Sequence, residues 1–389
     1  MKSPSSRLLA GRAALCLLLL TAALPSSAEI ESFGRPSILQ NAMGGFHAAL
    51  ADGFDLLLSN PAGLADAKRQ TYISQLGLVA DSSFLSLAGA YFSGDAASVL
   101  ASSLSSSNYK MQSRGELAGP ICFGMEGQGL GFGILNRTGY SVKAVSSSSI
   151  TISLDEDILV VGGYAYRMEL GGGHCLDLGF LAKGFVRASP SLSADSGSIS
   201  TLAEPMVLIA APFTFTAGIG IDLGLRWNWE EKIAAGLVCR DAYSPAIVSS
   251  YSSLMGFLQN PSASVSSTGY DTVAPDLDAG LLWKPDWGGY SSYINSVSFA
   301  LDYDDILDLF SAAPRSPLLN ISLGAELKVL DILTIRAGMK DLLPSAGVGF
   351  DLTAVKVNAG LYGKEYGSTP WEDSSYRLEI SFEFLYQLD

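Results

Sequence analysis

The chain has 389 residues, of which 24 are basic and 38 are acidic, and its formal net charge at pH 7 is −14. Nucleic-acid binding rests on neutralising phosphates, so this acidic balance argues against a nucleic-acid partner. Charged residues make up 16% of the chain. A soluble domain has ~25%, yet no apolar run here reaches the ~20 residues of a membrane helix. Low charge without an apolar span is typical of a transmembrane β-barrel.

The N-terminus has the pattern of a cleaved signal peptide. It contains Lys2, Arg7 and Arg12, an apolar run, and then the small residues 26–28. We expect residues 1–28 to be removed, which leaves 21 basic against 38 acidic residues and a net charge of −17. Export of a weakly charged barrel predicts a bacterial outer-membrane location.

Residues 43–64 precede any strand-like alternation and differ from the rest of the chain. They are apolar and rich in small residues, with breakers at Gly44, Gly45 and Pro61. Such a composition predicts a short, tightly packed segment that the following strands enclose. The predicted regions are a signal peptide (residues 1–28), an N-terminal hatch or plug inside the lumen (residues 29–68) and an outer-membrane β-barrel (residues 69–389).

The strand pattern is clearest over residues 213–230. Odd positions are apolar there, whereas even positions are Thr, Gly, Asp, Arg, Asn or Glu. A period of two places the two sets on opposite faces. The apolar face ends in Trp227 and Trp229 and suits lipid better than a packed core. The same alternation recurs over residues 233–239, 277–283, 297–303, 319–329, 333–339, 346–352, 355–361 and 376–386.

The N-terminal half adds further candidate strands. They cover residues 71–79, 84–91, 120–125, 130–142, 150–168 and 175–187. The total is odd, whereas single-chain bacterial barrels have an even number of strands. Either residues 150–168 are two strands or residues 84–91 are not a separate strand. We therefore predict an all-β fold, a transmembrane antiparallel β-barrel of about 14 strands, with about 16 as the alternative.

The segment at the start of the mature chain carries a specific motif. Gly44-Gly45, Ala48-Ala49, Ala51-Asp52 and Asn60-Pro61-Ala62 together resemble the N-terminal hatch of FadL-type outer-membrane transporters of hydrophobic compounds. Parts of residues 220–349 are similar, more diffusely, to FadL-like and PorV-type relatives. The hatch motif that the resemblance implies consists of Gly44, Gly45, Asp52, Asn60, Pro61 and Ala62.

The resemblance implies uptake of long-chain fatty acids or other hydrophobic small molecules. In such a channel the ligand is captured from outside, enters the lumen, and leaves sideways through the wall when the hatch shifts. An apolar path is physically favourable, because burial of each CH₂ is worth ~0.8 kcal/mol. The implied partners are a hydrophobic small molecule and outer-membrane lipid, with no cofactor, and the protein is expected to be a monomer.

No sequence motif predicts an enzyme. There is no Gly-x-Ser-x-Gly elbow and no cluster with metal-ligand spacing. Cys122, Cys175 and Cys239 also lack metal or redox spacing. His47 lies in the hatch and is expected to be a satisfied packing histidine rather than a base. We therefore predict no catalytic residue and no metal site.

A ligand with a carboxylate would need a base that faces the lumen. Arg226 and Arg336 are the candidates, because they lie on the strands with the clearest alternation. Each has the alternative of pairing with an inward acid such as Asp222, Glu326 or Asp351, since an unpaired charge inside a barrel is costly. The other inward bases are Arg137, Arg187, Arg240 and Lys340.

The alternative function is a non-transporting outer-membrane barrel that acts as a secretion partner, adhesin or structural protein. Its activity would then lie in the predicted loops over residues 95–116, 188–206 and 241–275. Those loops are rich in serine and have few aromatic anchors, which argues against tight protein binding. A porin for soluble substrates is disfavoured by the predicted plug.

Overall fold

In the computed structural model of the protein, one antiparallel β-sheet closes on itself to form a barrel. The predicted signal peptide and Asp52 of the hatch motif lie outside the described residues. The structure describes residues 30, 32–33, 38–45, 47–50, 54–204, 207–286 and 293–387.

Strands make up most of the described chain. They are β1 (Gln70–Asp81), β2 (Met111–Gly127), β3 (Leu130–Ser146), β4 (Ser149–Gly171), β5 (His174–Ala194), β6 (Phe213–Trp229), β7 (Ile233–Tyr243), β8 (Pro245–Tyr251), β9 (Val265–Thr272), β10 (Asp276–Trp283), β11 (Ile294–Tyr303), β12 (Ile321–Val329), β13 (Leu333–Lys340), β14 (Leu343–Asp351), β15 (Val355–Glu365) and β16 (Ser374–Gln387).

Helices occur before the barrel and in its longer connections. They are α1 (Ile38–Ala42), α2 (Ser82–Ser93), α3 (Ala96–Ser106), α4 (Ile199–Leu202), α5 (Val207–Ala210), α6 (Leu254–Gln259), α7 (Pro261–Ser264) and the 3₁₀ helices Phe54–Leu58, Pro61–Asp66, Ser196–Ser198, Ile306–Phe310 and Pro317–Asn320. None of the described helices has the length and apolar character needed to cross a membrane.

The barrel wall contains 14 strands, as the sequence predicted. Each pairs with its neighbours in chain order, and β1 pairs with β16 to close the sheet. β8 and β9 are outside the wall: they form a hairpin that lies within the predicted loop over residues 241–275 and continues the sheet from the upper part of β6. This hairpin was not predicted, because residues 241–275 were assigned to a loop.

One predicted strand is wrong. Residues 84–91 lie within helix α2. Asp81 caps this helix by accepting a hydrogen bond from the Phe84 N–H at 2.7 Å, and Gly94 ends it in a left-handed conformation. Residues 150–168 belong to the single strand β4. Removing the one false strand gives the even number that closes the barrel.

The two faces of the wall differ as the alternation predicts. Along β1, Leu76 and Leu78 are more than 40% exposed, whereas the intervening Gly77 is buried. This pattern fits an apolar outer face toward lipid. Gln70 and Gln387 lie at the end with mostly short turns, which we name the inner end. The other, outer end carries most of the long connections, although the β3–β4 and β13–β14 turns there are short.

The described part of residues 30–67, here named the N-terminal segment, packs against the inward faces of the strands. Helix α1 contacts β14 and β15, and the 3₁₀ helix Pro61–Asp66 contacts β4, β5 and β6. Leu57 and Leu64 are fully buried in the largest apolar cluster. The N-terminal segment therefore forms the core of the barrel at the height of Leu57 and Leu64. The boundary of the hatch at residue 68 stays a prediction.

Candidate functional site: the N-terminal segment and the lumen

Ten inward glycines make room for the N-terminal segment. A Cβ at Gly224 would overlap Oδ1 of Asn60, and one at Gly338 would overlap the backbone of Met43. These glycines are register partners on neighbouring strands, so they form gaps two strands wide in the inner surface. The pairs are Gly131–Gly163, Gly179–Gly224, Gly236–Gly280, Gly324–Gly338 and Gly347–Gly360.

Asn60 joins the segment to the wall. Its Nδ2 donates to the carbonyl of Ala48 at 2.7 Å and to that of Leu225 on β6 at 3.2 Å. Its Oδ1 accepts from the Ala62 N–H at 3.0 Å and caps the helix Pro61–Asp66. Pro61 occupies the first turn of that helix, where a missing N–H costs nothing. The Asn-Pro-Ala motif is thus both a local cap and an anchor.

Gly44 and Gly45 lie where the segment crosses β12 and β13. Both have positive φ angles, +95° and +116°. A Cβ at Gly44 would overlap the Leu323 carbonyl, and one at Gly45 would lie 2.5 Å from Cδ of Lys340. Backbone conformation therefore requires glycine at both positions, and at Gly44 the neighbouring backbone also leaves no space for a Cβ.

His47 is hydrogen-bonded at both ring nitrogens. Nδ1 lies 2.6 Å from Oδ2 of Asp302 on β11, and Nε2 lies 3.1 Å from the Met43 carbonyl. The Ala48 N–H donates to the other Asp302 oxygen at 2.7 Å. Both side chains are fully buried. His47 is therefore a satisfied packing residue, as predicted, and it holds the segment to the wall.

Arg226 forms ion pairs with acidic side chains at the inner end of the lumen. It pairs with Asp66 and, at 2.8 Å, with Asp177, while Arg167 pairs with the same two carboxylates. Burial acts to raise the pKa of Asp66, but Arg167 and Arg226 outweigh it and the pKa is lowered. These ion pairs hold the C-terminal end of the helix Pro61–Asp66 against the wall.

Arg336 pairs with an inward acid, which is the alternative to ligand binding that its sequence position allowed. Its Nε donates to Glu326 at 2.9 Å, and its side chain is 6% exposed. It lines a pocket of about 490 Å³ at the inner end, together with Leu56, Asp66 and Lys356. We name this space the inner pocket. Ligand binding by Arg226 or Arg336 stays a prediction, and both side chains already have partners.

A second cavity of about 490 Å³ lies between the N-terminal segment and the walls formed by β1–β4 and β13–β16. We name it the lumen cavity. Its apolar lining includes Phe33, Leu58, Leu135, Leu159, Leu343 and Tyr362. The 3₁₀ helix Phe54–Leu58 separates the two spaces, since Leu58 lines the lumen cavity and Leu56 lines the inner pocket.

An arginine cluster lines the same cavity. Glu116 on β2 accepts Arg114 at 3.0 Å, Arg137 at 3.5 Å and Arg377 at 3.4 Å. Nε of Arg377 is buried without a hydrogen-bond partner. One carboxylate therefore faces three guanidinium groups, although Arg137 also pairs with Asp157. Positive charge exceeds negative charge in this cluster of an acidic protein.

Sequence reasoning identified only part of this cluster. Arg137 was among the inward bases, whereas residue 114 fell in a predicted loop. Arg377 lies on the polar phase of the last strand, which was the one available indication. Its neighbours come from β2 and β3, and only barrel closure through the β1–β16 pairing brings them together.

The ladder of register pairs between β1 and β2 is broken beside the cavity. The register between β1 and β2 shifts from Tyr72–Gly124 to Gly77–Ala118. Within this wall break, a Cβ at Gly119 would overlap the carbonyl of Gln75, which shows how closely the two backbones approach. Gln75, Gly119 and Cys122 all line the lumen cavity. The break therefore lies directly between the cavity and the outer face.

These features define a transmembrane β-barrel with an N-terminal segment and a cavity in its lumen. Among similar solved structures is the monoaromatic hydrocarbon channel CymD, 14% identical, covering 91% of this chain and 98% of that one with a TM-score of 0.48. The P. putida toluene transporter TodX is 12% identical over 92% and 99%, with a TM-score of 0.47. A Pseudomonas aeruginosa FadL homologue is 10% identical over 93% and 100%, with a TM-score of 0.42.

The structures that the chain resembles thus include the FadL type that residues 44–62 predicted. No protein-family model matches the chain. No curated protein matches it either. The fold assignment rests on the strand pairings of the chain itself.

Proposed function

We propose that the protein is an outer-membrane channel for uptake of hydrophobic small molecules, with long-chain fatty acids as the first candidates. The lumen cavity carries the proposal, because it combines an apolar lining with an excess of arginine. Most ligand sites are concave and largely apolar, with a few polar groups that fix orientation. The unpartnered Nε of Arg377 offers a donor to a carboxylate.

The apolar tail of such a ligand would lie against Phe33, Leu58 and Leu135. Each buried CH₂ contributes ~0.8 kcal/mol, so long chains are preferred over short ones. Phe33 belongs to the N-terminal segment and stacks on Phe185 at 4.1 Å. A bound tail therefore contacts the segment directly, and this contact is the proposed link between occupancy and hatch movement.

The proposed exit is the wall break between β1 and β2. A ligand leaving there enters lipid without meeting the charged inner pocket. The route toward the inner end is closed by the helix Phe54–Leu58, whose Leu57 is fully buried among wall residues. The packing of this helix and the position of the break both support lateral exit.

The test is binding of a fluorescent long-chain fatty acid to the purified barrel. Competitors are an unlabelled fatty acid, a short-chain acid, and toluene as a neutral aromatic hydrocarbon. We expect saturable binding that the long-chain acid displaces best. Arg377→Gln should weaken binding of the acid about ten- to a hundredfold, because a hydrogen bond to a charged group is worth ~1.5–3 kcal/mol.

Arg336→Gln is the matched control, since Arg336 is equally buried but lines the inner pocket. Arg336→Gln should leave affinity unchanged if the lumen cavity holds the carboxylate, whereas a loss of affinity would support the binding role that the sequence predicted for Arg336. Displacement by toluene but not by acids would identify a neutral ligand and contradict the role of Arg377. No saturable binding by a folded barrel would contradict the transporter and favour the non-transporting alternative.

A further inference from the structure

Helix α2 lies on the outside of the barrel wall. A Cβ at Gly115 on β2 would overlap the ring of Phe84, and the Phe84 ring lies 5.9 Å from that of Tyr140 on β3. Gly115 and Tyr140 are register partners and so share a face. Leu117, two residues along β2 on that face, is 40% exposed. The helix therefore covers the outer surface, not the lumen.

The helix also lies at the height where the lipid-facing band ends. On the outward face of β1, Leu76 and Leu78 are 43% and 42% exposed, whereas Ala80 is 2% exposed beneath the helix. β1 has 12 residues. A strand needs ~9–11 residues to span a bilayer. α2 follows β1 directly, so it starts at the outer boundary of the membrane.

The surface of α2 divides into three arcs, given about 100° per residue. Phe84, Leu87 and Ala90 point toward the wall. Leu85 and Phe92 form an apolar arc beside it, 44% and 91% exposed. The third arc is polar and contains Ser82, Ser86 and Ser93, all of them exposed. No residue of α2 is charged.

From this placement we infer that α2 is an interfacial helix whose Leu85 and Phe92 insert among the acyl chains of the outer leaflet. The apolar arc is continuous with the lipid-facing side chains of Leu78 and Leu117, which are the next outward residues below it. Interfacial helices bury one apolar face and keep a polar face in water. Trp, Phe and Leu are the residues that such helices commonly bury.

The occupant is lipid rather than a protein partner, because the arc extends a surface that the membrane already covers. Full burial of a phenylalanine side chain contributes ~1.5–3 kcal/mol. Exposing Phe92 to water would forgo that energy. The inference depends only on the barrel crossing a membrane, and it holds whatever the barrel transports.

The test uses single-cysteine variants in a background where Cys16, Cys122, Cys175 and Cys239 are replaced by alanine. Phe92→Cys carries an environment-sensitive fluorophore in phospholipid vesicles that contain lipids with nitroxide-labelled acyl chains. Leu78→Cys is the lipid-facing reference. Ser86→Cys is the matched control, because it lies on the same helix but on the polar arc.

We expect the nitroxide lipids to quench the probe at residue 92 as strongly as that at residue 78, and several-fold more than that at residue 86. Aqueous iodide should show the reverse order. Equal iodide quenching at residues 92 and 86, without quenching by lipid, would overturn the inference and place the arc in water, where a protein partner could cover it.

Discussion

Gly224 on β6 faces the carboxamide of Asn60 so closely that any Cβ at residue 224 would overlap Oδ1 of Asn60. The same Asn60 donates to the carbonyl of Leu225, the next residue of that strand. Glycine therefore provides the space and the neighbouring backbone provides the acceptor. The strand thus fits the N-terminal segment through Gly224 and Leu225, which both meet Asn60.

Gly224→Ala should displace the N-terminal segment, because the wall cannot retreat while it is hydrogen-bonded on both sides. We expect faster permeation of a small sugar in a proteoliposome swelling assay. Gly184→Ala is the matched control, since its Cβ would meet no atom within 4 Å. Equal permeation by both variants would show that the glycine pairs do not seat the segment.

Asn60→Ala removes two donors and a helix cap at a site that is 1% exposed. We expect a cost of about 1–3 kcal/mol to the seated state of the segment, seen as an increased rate of protease cleavage after Lys68. Asn60→Asp keeps the cap acceptor but places a buried carboxylate against the carbonyls of Ala48 and Leu225, so its effect should be at least as large. Unchanged cleavage in the alanine variant would contradict the anchoring role.

Asp341 should make the outer loops sensitive to acid. Its carboxylate pairs with Arg315 at 2.9 Å and accepts the Glu365 N–H at 3.0 Å. Burial acts to raise the pKa of Asp341, but Lys364, Lys340 and Arg315 outweigh it, so the folded-state pKa lies below the ordinary 3.8. The stabilisation is therefore complete above pH 3.8 and is lost as the pH falls through the lower folded-state value.

The measurement for Asp341 is hydrogen exchange at the Glu365 amide, corrected for its intrinsic pH dependence. Wild type should stay protected from pH 7 to near the ordinary carboxyl pKa of 3.8 and lose protection below it. Asp341→Asn should be less protected at pH 7 and show little change on acidification. An acid transition that persists in Asp341→Asn would assign it to another group.

Cys122 can report on the wall break, because it lines the lumen cavity on β2 within the register shift. In a background with Cys16, Cys175 and Cys239 replaced by alanine, a membrane-soluble maleimide should modify Cys122 faster than a charged maleimide does. A saturating long-chain fatty acid should slow the reaction. Equal rates with both reagents, unaffected by ligand, would argue against an exit at this position.

The sequence alone determined the barrel, because a period of two is a local property of each strand. Residues 213–230 needed no knowledge of their neighbours to be assigned two faces. The requirement for an even strand number also showed that one strand assignment was wrong. Strand number alone could not show which assignment was wrong, because residues 84–91 are a short apolar run that fits a strand or a packed helix equally. The helix cap at Asp81 became evident only in the structure.

The tertiary structure decided everything that depends on register and closure. The glycine pairs exist only because neighbouring strands align them, and the cluster of Arg114, Arg137, Arg377 and Glu116 forms only because β16 returns beside β1. In the sequence, Arg226 and Arg336 ranked above Arg137 because they lie on the strands with the clearest alternation, and Arg114 fell in a predicted loop. Their pairing with Asp177 and Glu326 on neighbouring strands is a long-range contact, and a single sequence carries no record of which strands will meet.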